Sequence, residues 1–203
     1  MVRKRMFKMH RSHGYARIFS PVWGPILLLL FGMFLAGTVL GAYVGSHGEP
    51  IPEVVAAYIN GGANADLRGF FRELFRAGQY HLAVLFAATS TVGVFAVPLI
   101  SFFRGYFLSC TAAAIMVAAA EHGIAAAMVL CGISAVITVP SLFLLELDSF
   151  ELSRRLRAVS MGHTVSRRTE SLAYDLAFSA LCVLIAALTE CLFVPTLLLY
   201  FLQ

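Results

Sequence analysis

The chain has 203 residues, 60% of them hydrophobic and only 13% charged, with a mean hydropathy of +0.83. That balance excludes a soluble globular domain, and apolar runs fill so much of the length that no separate soluble catalytic domain is left. The net charge of +4 reads as a topology signal, not as a nucleic-acid footprint.

Residues 1–21 form a basic tail carrying Arg3, Lys4, Arg5, Lys8, Arg11 and Arg17, and residues 22–203 form a single membrane domain. Five runs approach the roughly 20 apolar residues that a bilayer crossing needs. They lie at 22–44, 80–103, 105–120, 124–145 and 176–201. The expected fold is therefore all-α, a polytopic membrane helix bundle of about five crossings. The first run exceeds the roughly 7–15 residues of a secretory signal core and is read as an uncleaved anchor.

Within that first run, "GTVLGAYVG" places Gly37, Gly41 and Gly45 on one helical face. In lipid, helices associate through close backbone approach, so a doubled G-x-x-x-G marks a packing face. An intrachain contact is the favoured reading; a partner contact or a homo-oligomer uses the same chemistry.

The outer loop, 45–79, ends in "DLRGFFRELFRAGQY". Leu67, Phe70, Phe71, Leu74 and Phe75 recur as one helical face, and Arg68, Arg72, Glu73 and Arg76 cover the other. This predicts an outer amphipathic helix in the interface plane, touching lipid or a docked protein. Further along, Pro98 lies late in the second run, Arg104 and Gly105 sit between the second and third, and Ser134 and Pro140 lie in the fourth. Ser134 is expected to bond back to a helical carbonyl.

The inner loop, 146–175, is basic, with Arg154, Arg155, Arg157, Arg167 and Arg168. Five crossings put twelve basic residues (the tail, Arg104 and this loop) on one side and Arg68, Arg72 and Arg76 on the other. The N-terminus is then cytoplasmic and the C-terminus outside.

The last run contains Glu190 and Pro195. A span starting at Leu176 reaches Pro195 after about 20 residues, so the favoured reading ends the crossing there, with Glu190 near the outer end beside Arg68, Arg72 or Arg76. A helix running straight on instead places Glu190 near the midplane, where a charge costs several kcal/mol.

Chemistry-bearing patterns are sparse. Cys110, Cys131, Cys182 and Cys191 sit in apolar runs without C-x-x-C spacing, and there is no H-E-x-x-H or G-x-S-x-G. No catalytic, metal or cofactor site is expected, and the lipid bilayer is the first partner.

The order of these segments resembles the stage II sporulation protein M family. The stretches that carry the resemblance are "LFGMFLAGTVLGAYVG" (30–45), "FFRELFRAGQYHLAVLFAATSTVGVFAVPLISFFRGYFLSC" (70–110) and "AAAMVLCGISAVITVPSLFLLEL" (125–147). Pro98, the Arg104-Gly105 pair and Pro140 match the family pattern; Ile133, Ser134 and Ala135 stand where many relatives carry a more polar element. The resemblance implies a non-enzymatic scaffold of the bacterial cell membrane, acting at the sporulation septum with stage II sporulation proteins D and P in peptidoglycan remodelling during engulfment. The rival expectation is a permease-like transporter subunit working with a cytoplasmic ATPase, with Pro98, Pro140 and Pro195 breaking helices along a substrate path.

Overall fold

A chain this apolar has to satisfy its backbone internally, and it does so as helices. The computed structural model describes residues 23–48, 67–118, 123–162 and 170–201. Residues 1–22, 49–66, 119–122, 163–169 and 202–203 lie outside the described residues.

The elements are α1 (Trp23–His47), α2 (Leu67–Ala88), α3 (Gly93–Ala118), α4 (Gly123–Ala127), a π-helical turn (Met128–Gly132), α5 (Ile133–Ser160) and α6 (Glu170–Phe201). No strand occurs among the described residues. Gly123–Ser160 is one rod of 38 residues, about 57 Å at 1.5 Å per residue. Among the described residues, four segments are long and apolar enough to cross a membrane: Gly24–His47, Gly93–Ala118, Gly123–Ser160 and Tyr174–Leu192.

Contacts fix the relative directions. Gly37, Gly41 and Gly45 face Phe102, Tyr106 and Cys110 in turn, so α1 and α3 run parallel. Ser101 meets Glu146 and Arg104 meets Thr138, so α3 and α5 are antiparallel. His81 meets Ser141 and Ser153 meets Ser90, which aligns α2 with α5. Gly78 faces Val183, and Glu190 meets both Glu73 and Ser134, so α6 opposes α2 and α5. The five long helices thus alternate in direction.

The α1–α3 seam is the closest in the bundle. A Cβ on Gly37 or Gly41 would run into the carbonyl of Phe102 or Tyr106, and one on Gly105 would run into that of Phe34. The glycine face is an intrachain packing surface. Apolar clusters then fill the bundle: Ile26, Leu30, Val97, Leu147 and Phe150 toward the Trp23 end, and Val84, Leu142 and Leu145 at mid-height.

Five expectations are corrected. The second apolar run is not one span, because the chain turns within it at residues 89–92. There Thr89 Oγ1 donates to the Phe86 carbonyl (2.8 Å) and Ser90 Oγ accepts from Val92 N–H (3.2 Å). Consecutive hydroxyls offer the backbone an alternative to helix, and hydropathy alone does not register that competition. Ser153 seals the turn by donating to the Ser90 carbonyl (2.6 Å).

The amphipathic segment is the beginning of α2, which continues to Ala88 alongside the bundle instead of ending as a separate interfacial helix. Helix α3 runs unbroken through Pro98, Arg104 and Gly105, which removes Arg104 from any loop. The inner loop starts later than 146, since α5 extends to Ser160 before a turn at Gly162 with φ +84. Likewise, α6 passes through Pro195 to Phe201.

Candidate functional site: a polar column inside the bundle

Burial in an apolar bundle penalises polar groups unless each finds a partner, so the buried polar residues of α5 stand out. Ser134, Thr138, Ser141, Glu146, Asp148, Ser149 and Ser153 are all buried. At 100° per residue they occupy one broad face of α5, turned toward α2, α3 and α6. From Ser134 to Ser153 the helix rises about 28 Å, close to the roughly 30 Å of a hydrocarbon core.

At mid-height Arg104 is the centre. Its Nη2 donates to Thr138 Oγ1 (2.9 Å), and its guanidinium lies over the Tyr80 ring, 5.0 Å from the centroid. Thr138 Oγ1 in turn donates to the Ser134 carbonyl (2.9 Å), and Ser141 Oγ donates to the Thr138 carbonyl (3.0 Å). His81 Nε2 lies 3.2 Å from Ser141 Oγ. Three helices are tied together through one arginine and two hydroxyls.

Toward the Trp23 end, Ser101 Oγ donates to Glu146 Oε2 (2.6 Å). The carboxylate is fully enclosed, and neither its Oε1 nor Ser149 Oγ has a hydrogen-bond partner among the described residues. At the other end, Glu190 of α6 lies beside Ser134 and Glu73, with the Arg76 guanidinium near enough to act on it. Glu73 also faces Arg72 (3.6 Å) and Arg76 (3.8 Å).

The residues singled out in the sequence divide accordingly. Arg104, Ser134, Glu190, Glu73 and Arg76 come together on the column. Gly37, Gly41, Gly45 and Gly105 belong to the α1–α3 seam, where Pro98 is also buried on α3. Of the predicted apolar face of α2, Phe71 and Phe75 point outward while Phe70 and Leu74 are half-buried. Pro140 is exposed on the opposite side of α5. The side chains of Leu67, Arg68 and Pro195 lie outside the described residues.

Sequence reasoning missed Tyr80, His81, Ser101, Thr138, Ser141, Glu146 and Ser149. A signal existed: Ser134, Thr138 and Ser141 recur at spacings of four and three within an apolar run, a narrow polar stripe on a helix otherwise suited to lipid.

Chemically, the column can cross-tie helices, and its ionisable groups can exchange charge within the membrane interior. Glu190→Gln keeps an acceptor for Ser134 and supplies an amide donor to Glu73. Folded protein extracted from membranes is therefore expected to melt within a few degrees of the parent, while Glu190→Leu, which removes the polar group beside Ser134 and leaves Glu73 only Arg72 and Arg76, is destabilised by roughly 1–3 kcal/mol. Thermal unfolding in detergent, followed by size-exclusion recovery, reads the difference. Equal melting of the leucine and glutamine variants would remove Glu190 from the column.

These features define the class as an α-helical membrane protein. No family model, characterised protein or solved structure matches the chain.

Proposed function

We propose that the chain is a non-enzymatic, multi-pass scaffold of the bacterial cell membrane that positions peptidoglycan hydrolases during septal wall remodelling and engulfment. The observation that carries this reading is the direction of the side chains. The small residues of α1 and α3 and the polar residues of α2, α3, α5 and α6 are turned on one another, which makes a cross-tied bundle. Phe71, Phe75, Leu82 and Phe86 of α2 are left facing outward as one edge. A stiff bundle with an aromatic edge suits the positioning of partners better than turnover of a substrate.

The resemblance to the stage II sporulation protein M family supports the same reading. Its three stretches fall on α1, on α2 with its turn and α3, and on the rod from α4 to α5. Stage II sporulation proteins D and P are the partners it implies, at the sporulation septum. Moving Arg104 into the bundle leaves eleven basic residues in the tail and the α5–α6 region against Arg68, Arg72 and Arg76. The cytoplasmic N-terminus and external C-terminus therefore stand as part of the proposal, with α2 as the second of five crossings.

The second reading, a permease-like subunit, draws on one observation: the bundle interior holds a fully buried Glu146 and a half-buried Arg104, the kind of groups that transporters use for coupling. In-cell crosslinking and pull-down of the tagged full chain separates the two. Recovery of extracytoplasmic wall hydrolases, lost when Arg68, Arg72 and Arg76 are replaced by glutamine together with Phe71→Ala and Phe75→Ala, is the expected result. Recovery of a cytoplasmic ATPase held through residues 146–175 would move the chain to the transport class.

A further inference from the structure

Two enclosed polar atoms of the column sit one turn apart on α5 without a partner. Glu146 Oε1 and Ser149 Oγ are buried and have no hydrogen-bond partner among the described residues, and both residues are 0% exposed. Side chains three apart on a helix are surface neighbours. Both belong to the seam with α3: Ser101 donates to Glu146 Oε2 (2.6 Å), and a Cβ on Gly93 would come within 2.7 Å of Ser153 Oγ. Ser149 therefore falls between those two points, opposite the α3 turn that carries the buried Val97.

No cationic side chain meets Glu146 among the described residues. Arg104, three residues beyond Ser101 on α3, is directed to Thr138 and the Tyr80 ring. A carboxylate enclosed in an apolar bundle with a single hydroxyl donor is costly, so its charge has to be offset. A proton neutralises it, but as placed Oε1–H then has no acceptor and Ser149 Oγ still has no partner. A water matches both oxygens but leaves the charge. A divalent ion would leave one positive charge buried. A monovalent cation between Oε1 and Ser149 Oγ balances the single charge and occupies both oxygens at once, and carboxylate and hydroxyl oxygens are ligands suited to a hard cation. Full enclosure favours the smaller, more completely dehydrated ion, so sodium over potassium.

We propose that Glu146 and Ser149 bind one sodium ion inside the bundle, with Ser101 holding the other carboxylate oxygen and so positioning the group. The ion would lock α5 against α3. The site does not rest on the scaffold reading, because it uses neither the α2 edge nor any partner protein.

The test is thermal unfolding of the detergent-purified full chain in sodium, potassium or choline chloride at equal ionic strength and mildly alkaline pH. With sodium at about a hundred times its dissociation constant, the parent is expected to melt roughly 5–10 °C higher than in choline, with potassium giving a much smaller rise. Glu146→Gln should melt alike in all three salts, and Ser149→Ala should need several-fold more sodium for half the effect. A second measurement serves if Glu146→Gln fails to fold. Dicyclohexylcarbodiimide, which attacks protonated carboxyls in apolar surroundings, is expected to label Glu146 of the parent several-fold more slowly in sodium than in choline, read by peptide mass spectrometry. Labelling at one rate in all three salts would make the proton the only occupant and overturn the proposal. So would equal melting of the parent in sodium and potassium, or a sodium response that survives Glu146→Gln.

Discussion

Gly41→Leu is expected to remove most folded protein from the membrane, whereas Gly32→Leu, on the same helix, is expected to leave it unchanged. The contrast follows from what each new side chain meets. At Gly41 a Cβ alone would collide with the Tyr106 carbonyl, and backbone cannot rotate away as a flexible side chain can; at Gly32 there is no atom within 4 Å. Overpacking costs about 1–3 kcal/mol in ordinary cores. A collision with the backbone along a three-glycine seam belongs at or above the top of that range, roughly 6–12 °C in melting temperature for a chain of this size. Thermal unfolding of detergent-extracted variants measures it. Similar losses at Gly32 and Gly41 would mean that α1 has no specific seam with α3.

The second large effect is expected at Arg104. Arg104→Ala removes the donor to Thr138, the cation over the Tyr80 ring and the only described contact that ties Tyr80 and Thr138 through one group. Thr138 keeps its bond to the Ser134 carbonyl, so the penalty arises from lost cross-ties and a void. We expect a loss of about 2–4 kcal/mol. Arg104→Lys keeps the charge but not the planar fork, and should fall between. A double-mutant cycle with Thr138→Val is expected to return a coupling of about 1–2 kcal/mol. Additive single-variant losses would show that the two residues do not act together, and the column would lose its centre.

Much of the fold is legible in the sequence because lipid imposes one rule, internal satisfaction of the backbone, that hydropathy reads well. The first helix and its glycine face follow directly from "GTVLGAYVG". The break at 89–92 does not, because Thr89, Ser90 and Thr91 scarcely lower the hydropathy of a window that contains Phe86, Val92 and Phe95. Misplacing that break put Arg104 in a loop, when it is the twelfth residue of the 26-residue α3. Pro195 misled in the opposite direction. A proline breaks a helix only when the freed carbonyl and ring are not accommodated, and α6 continues past it.

The column was only partly visible for a related reason. Glu190 attracts notice because it is charged within an apolar run, and Arg76 was among the donors expected for it. Thr138, Ser141 and Ser101 are small hydroxyls that helices in lipid tolerate anywhere by bonding back one turn. Only the neighbouring helix shows which of them also bond outward. Glu146 lies just past the apolar run and reads as a loop residue until α5 is seen to continue beyond it.

The central claim is that Arg104 lies at mid-depth in a bundle whose long helices alternate in direction. Cysteine accessibility in intact cells and inverted vesicles tests it directly, using a variant lacking Cys110, Cys131, Cys182 and Cys191. Single cysteines at Thr91 and Met161 are predicted to react with a membrane-impermeant maleimide from the cytoplasmic side and one at Ser46 from the outside, with Arg104→Cys protected from both. Labelling of position 104 as fast as position 91, or of 46 and 91 from the same side, would contradict the account.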